Sequence, residues 1–173
     1  MLILAVLACT LFAAPVNRGL MATVEVSMNK RLEALVPGEQ FLLLGHTHGV
    51  YLEGFGCVFT TRVNLAEGPG LSPFRQNLPE SERTALHKKK MDRLPLLRTA
   101  MREMLVGAAV VMDPVPVNER IVLSVSLLHM PHENVSGLPT QIVMQADRRT
   151  LMGFLAAKAD PAALAAAVQV REY

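Results

Sequence analysis

From Glu80 to about Ala108, the apolar residues Leu86, Leu94, Leu97, Met101, Met104, Leu105 and Ala108 recur at near-helical spacing, with basic residues between them. That period places one apolar stripe along a long helix, and such a stripe has to be buried against another element. The flanking sequence supplies the partner. On both sides the period changes from helical to alternating, over 40–65 before the helix and 121–146 after it. Alternation of this kind belongs to strands with one face in a core. The order of elements predicts an α+β domain: a mainly antiparallel sheet of two hairpins, with a long kinked helix and terminal helices packed on one face.

Local signals fill in this outline. Val24, Met28, Leu32 and Leu35 form a stripe on a helix over 22–35, ended by Pro37-Gly38. In the first alternating region Tyr51, Phe55, Cys57, Phe59, Val63 and Leu65 share parity, which puts the aromatics against the core. Gly54 and Gly56 mark a bulge or a close backbone approach. Three prolines and two glycines make 67–79 an irregular loop. Pro95 predicts a kink in the long helix, or a new helix starting after Asp92. Asp113-Pro114-Val115-Pro116 breaks the chain, and strands at 121–129 and 141–146 form the second hairpin. Asp147 is placed to cap a helix over 148–158, and Asp160-Pro161 to open a final Ala-rich helix that makes the tail helical.

The chain begins differently. Residues 2–14, LILAVLACTLFAA, are apolar except for Thr10. The run is too short to cross a bilayer, which takes about 20 residues, and has the length of an export-signal core. No Lys or Arg precedes it, and no clean small-x-small site precedes Pro15. The expectation is a leader over 1–20 and a single α+β domain over 21–173, working outside the cytoplasm as a periplasmic, secreted or membrane-anchored protein. Two alternatives stand beside it. Val6-Leu7-Ala8-Cys9 loosely matches a lipobox, which would tether the protein through Cys9, and the same run would also serve as an N-terminal core helix of a cytosolic protein.

A length of 173 residues suits one domain, and a 51% apolar composition with 18% charged residues excludes a disordered chain. The net charge of +2 gives no reason to expect nucleic acid. The segment His87-Lys88-Lys89-Lys90 with Arg83, Arg93, Arg98 and Arg102 reads as a solvated helix face diluted by acids, with an anionic-lipid surface as the alternative. With Cys9 in the leader, Cys57 has no partner for a disulfide and reads as a buried thiol on a strand.

One constellation carries possible chemistry. Four of the five histidines come as close pairs, His46 with His48 and His129 with His132, the second followed by Glu133. Residues two apart on a strand point the same way, so His46 and His48 would offer two imidazoles to one ion. With His129 and His132 they would complete a tetrahedral zinc set, Glu133 serving as base or further ligand. Polar loop histidines without metal are the plainer reading, and nothing in the sequence joins the two pairs. Phosphate loops, Cys-x-x-Cys, Gly-x-Ser-x-Gly and His-Glu-x-x-His are all missing from the chain.

The stretch 50–59, Val-Tyr-Leu-Glu-Gly-Phe-Gly-Cys-Val-Phe, and the tail from Leu151 to Tyr173 resemble segments of uncharacterised exported bacterial proteins. The likeness covers about a quarter of the chain. It implies export and carries over no catalytic residue. The sequence therefore supports an exported binding or scaffolding domain without catalysis, without a cofactor and with an envelope component as partner, touching the membrane only through the leader or a lipidated Cys9. The alternative is a metal-dependent enzyme using zinc on His46, His48, His129 and His132.

Overall fold

A computed structural model describes residues 16–36, 42–68, 78–157 and 161–173. Helix α1 (Arg18–Glu33) starts behind Asn17, whose side chain accepts the Gly19 N–H at 2.7 Å. Val24, Met28, Leu32 and Leu35 are buried together, as their spacing predicts. The helix begins inside the segment expected as leader: Leu20 already packs against the core. Cys9 and the apolar run 2–14 lie outside the described residues.

Strands β1 (Leu42–Leu43), β2 (His48–Leu52), β3 (Gly56–Asn64), β4 (Arg120–Leu127), β5 (Gln141–Asp147) and β6 (Gln169–Glu172) form one sheet. β1 and β2 both pair with the outer edge of β3, and the order continues β3, β4, β5, β6. Every pairing is antiparallel except that of β3 with β4, which is parallel. A parallel neighbour needs a crossover, and helix α2 (Glu80–Val111) provides it. The two hairpins are thus joined side by side through their inner strands, which makes the mainly antiparallel sheet a mixed one.

Side chains on one face of the sheet make the core: Cys57, Phe59 and Val63 from β3, Ile121, Leu123 and Val125 from β4, Ile142 and Met144 from β5. Helices α1 and α2 cover this face, with Leu94, Leu97, Ala100, Met101 and Leu105 of α2 fully withdrawn from water. The predicted parity holds for Cys57, Phe59, Val63 and Leu65 but not for Phe55, which is 40% exposed in the hairpin turn with its ring under the Arg120 guanidinium. Gly56 takes φ +125°, and a Cβ there would collide with the backbone of Arg120. The close approach expected from the glycines is real, and it lets the first hairpin lie against β4.

Three expectations are corrected. Pro95 does not start a new helix; α2 runs through it in one piece. Pro95 and Met91 both lie on the exposed side, where water can serve the carbonyl that the missing N–H leaves free. Asp147 directly precedes α3 (Arg148–Ala157), but its carboxylate faces Arg120 at 3.9 Å. The tail is not all helix: α4 (Pro161–Ala167) gives way to β6 beyond the buried Val168. Burying Val168 and pairing Arg171 with Val143 completes the sheet edge, and this outweighs the helical bias of the alanines.

Candidate functional site

The edge strand that contains the first histidine pair is interrupted. Leu43 pairs with Val63 and His48 with Thr60, so four residues, 44–47, stand opposite two, 61–62. Such a bulge frees the backbone from its ladder and re-aims the side chains beside it. The freed groups find partners on α1. Asn29 Oδ1 accepts the Thr47 N–H at 2.9 Å and the Thr47 hydroxyl at 2.7 Å. One turn earlier, Glu25 Oε1 accepts the Gly49 N–H at 2.8 Å, while Arg18 Nη1 donates to the Gly49 carbonyl at 3.4 Å. Residues four apart on a helix and two apart on a strand advance by nearly the same distance, about 6–7 Å, so two helix side chains act as a substitute strand.

This contact requires glycine at 49, since a Cβ would run into the Met21 methyl and the Phe59 ring. Glu25 is itself held by Arg18 through both carboxylate oxygens, at 2.6 and 3.0 Å. Burial alone pushes the Glu25 carboxyl up, but the Arg18 hydrogen bond, the Gly49 N–H and the charges of Arg18 and His48 outweigh it, leaving it below the ordinary range.

Outside the bulge lies an open recess of about 320 Å³ on the face that no described helix covers, lined by His46, His48, Thr60, Thr61, Arg62 and Ser126 with the chain at Leu44–Gly45. His48 and Thr60 are cross-strand partners, and Arg62 and Ser126 are partners in the next row. No acid lines it. The Arg62 guanidinium has no ion-pair partner among the described residues. Thr61, 7% exposed, carries a buried hydroxyl without a hydrogen-bond partner among them. The structure thus brings His46 and His48 to one recess.

His129 and His132 are elsewhere, in the 128–140 connection at the end of β4. His129 is nearly buried: Nε2 donates to the Pro139 carbonyl at 2.9 Å, and Nδ1 lies 3.9 Å from Glu133. Glu133 is not open to a substrate. It forms a buried ion pair with Lys90, whose ammonium also donates to the Leu128 carbonyl at 3.2 Å. His87 Nδ1 meets the Asn134 carbonyl at 3.0 Å, so this segment is fastened to α2 at a second point. The expected four-histidine zinc set is not assembled. Among the described residues, no three His, Cys, Asp or Glu side chains gather closely enough to hold one ion.

The basic face of α2 also resolves into pairs. Lys88 meets Asp92 at 2.7 Å, Arg98 grips Glu172 through two 2.7 Å bonds, and the buried Arg93 donates to the Leu65 carbonyl. Lys90 and Arg93 are therefore interior anchors rather than members of a solvated face. Cys57 is fully buried, and burial followed by the Glu119 carboxylate pushes its thiol up to about 11, which keeps it protonated and inert. The same surroundings, with burial foremost, push Tyr51 up to about 12.

Comparison with protein families, with curated proteins and with solved structures gives no match to this chain. No helix among the described residues is long and apolar enough to cross a membrane.

Asn29, Glu25 and Arg18 were not legible as positioning residues, nor Arg62 and Ser126 as lining. A signal existed: Glu25 and Asn29 each follow a stripe residue, Val24 and Met28, and so flank the buried face of the helix.

Proposed function

We propose that this chain is an exported binding or scaffolding domain, without catalysis of its own, that engages its ligand or partner through the uncovered sheet face. The observation that carries this reading is the contrast between the two faces. One is closed by α1 and α2; the other presents His48, Thr60, Arg62, Ser126, Val143 and Gln145 to solvent or to intermediate burial, with the recess at its edge. Strands supply a rigid platform for such a surface. Export rests on the apolar run 2–14 and on the resemblance of 50–59 and of the tail to exported bacterial proteins. An envelope component is the partner class that this location favours.

The test has two parts. Cells expressing the full chain are fractionated and the mature N-terminus is read by mass spectrometry; cytoplasmic protein with residues 1–15 intact overturns export. In parallel, a photo-crosslinking residue replaces Gln145 on the open face or Val110 on the outer side of α2. Adducts from position 145 and none from 110 are expected; equal yields, or none from either, overturn the use of this face.

A further inference from the structure

The recess beside the bulge has a composition that selects for ligand charge. Its open-face side chains are two imidazoles, one guanidinium and the hydroxyls of Thr60 and Ser126. All of these can donate hydrogen bonds, and none is an acid. Glu25, the carboxylate behind His48, lies on α1 outside the lining and is paired with Arg18. A cation would meet no counter-charge here, whereas an oxyanion would meet the fork of Arg62 and hydroxyls on both sides of it.

Two further observations point the same way. The guanidinium of Arg62 is not engaged by any described acid, unlike that of Arg18, Arg31, Arg98 or Arg148, each of which has a carboxylate partner. The bulge that opens the recess is held in shape from behind by Asn29 and Glu25, so the site is formed before anything enters it.

We infer that this recess is a binding subsite for a phosphate-type oxyanion, held by Arg62 with His46, His48, Thr60 and Ser126. The subsite rests on the reading of the open face as the binding surface and names the chemistry recognised there. Val50, Val58 and Val122 pair across the next row of the same face, about 7 Å from His48, and Val50 and Leu52 are each nearly half exposed. A phosphate carried on a lipid would find apolar contact in that row, and a free phosphate would use the recess alone.

The experiment uses the full chain with three probes: inorganic phosphate, followed by ³¹P NMR line broadening and thermal shift, and sedimenting vesicles of phosphatidylcholine with or without phosphatidic acid. Saturable binding of phosphate, of phosphatidic-acid vesicles or of both is expected, with phosphatidylcholine alone inactive. Arg62→Gln should weaken binding about tenfold or more, the loss of a bidentate charge-assisted contact. Arg171→Gln, on the same face at β6, serves as the control and should change it less than about twofold. Binding to phosphatidic-acid vesicles alone assigns the phosphate to a lipid; binding of both assigns the subsite to the group itself. No saturable binding to any probe, or equal loss in R62Q and R171Q, overturns the proposal. Position-145 crosslinks that persist after that failure leave the face reading standing, and their absence overturns it separately.

Discussion

The two histidine neighbourhoods make an instructive pair. Each places two imidazoles within four residues at the end of a strand, and in each α1 or α2 reaches across to satisfy the local backbone. At His46 and His48 the helix stands behind the strand, so its side chains complete the hydrogen bonding and the other face stays open to water. At His129 the helix lies over the segment, and Lys90 and Glu133 are sealed with side chains only 1% and 3% exposed. Similar local sequence becomes a presented surface in one place and a fastening in the other. What differs is which side the helix occupies.

Breaking the fastening should have the largest effect. Lys90→Met leaves the Glu133 carboxylate buried and unpaired, a change that costs about 3–5 kcal/mol. Lys90→Met with Glu133→Leu should recover most of that loss, because replacing both partners removes the stranded charge. Urea unfolding of both variants checks this, and a single variant as stable as the parent would sink the contrast. At the open neighbourhood the expected cost is smaller. Asn29→Ala leaves the Thr47 N–H and hydroxyl, on a residue 1% exposed, without an acceptor, at about 1–3 kcal/mol. Asn29→Asp keeps the accepting oxygen and should retain most of the stability; equal losses in the two variants would mean that the bulge does not depend on that oxygen.

The smallest effect is one of pH. The Glu25 carboxyl lies below its ordinary value of 4.5 in the folded protein, so the unfolded chain binds its proton first. Its contribution is complete above that value and is lost as pH falls from about 4.5 through the lowered one. Glu25→Gln should therefore flatten the stability profile on the acid side and cost about 1 kcal/mol near neutrality, from the weakened bonds to Arg18 and Gly49. Denaturant midpoints from pH about 3 to 7 would read this, and an unchanged acid slope would remove Glu25 from the account.

Much of this architecture was legible in periodicity. Stripe spacing identified α1 and α2, alternation identified β3, β4 and β5, and Gly56 pointed to a bulge or a close backbone approach, which the structure assigns to Arg120. Those signals report on one element at a time, because a buried face repeats with its own element's period. The turn at Phe55, the passage of α2 through Pro95 and the strand at the C-terminus escaped them. In each, a tertiary contact or solvent position outweighed the local preference: the Arg120 guanidinium at Phe55, exposure at Pro95, pairing with β5 at Arg171.

By itself, then, the sequence determined the class of fold, the buried stripes of α1 and α2 and the burial of Cys57, because hydrophobic spacing along a chain is a local property. Only the tertiary structure decided that β3 and β4 lie parallel, that Asn29 and Glu25 stand in for a missing strand, and that His46 and His48 share a recess with Arg62 while His129 lies beside the Lys90–Glu133 pair. The reason is physical: these outcomes depend on charges and hydrogen-bonding groups far apart in the chain, and nothing in their spacing records which of them meet once the apolar faces have closed.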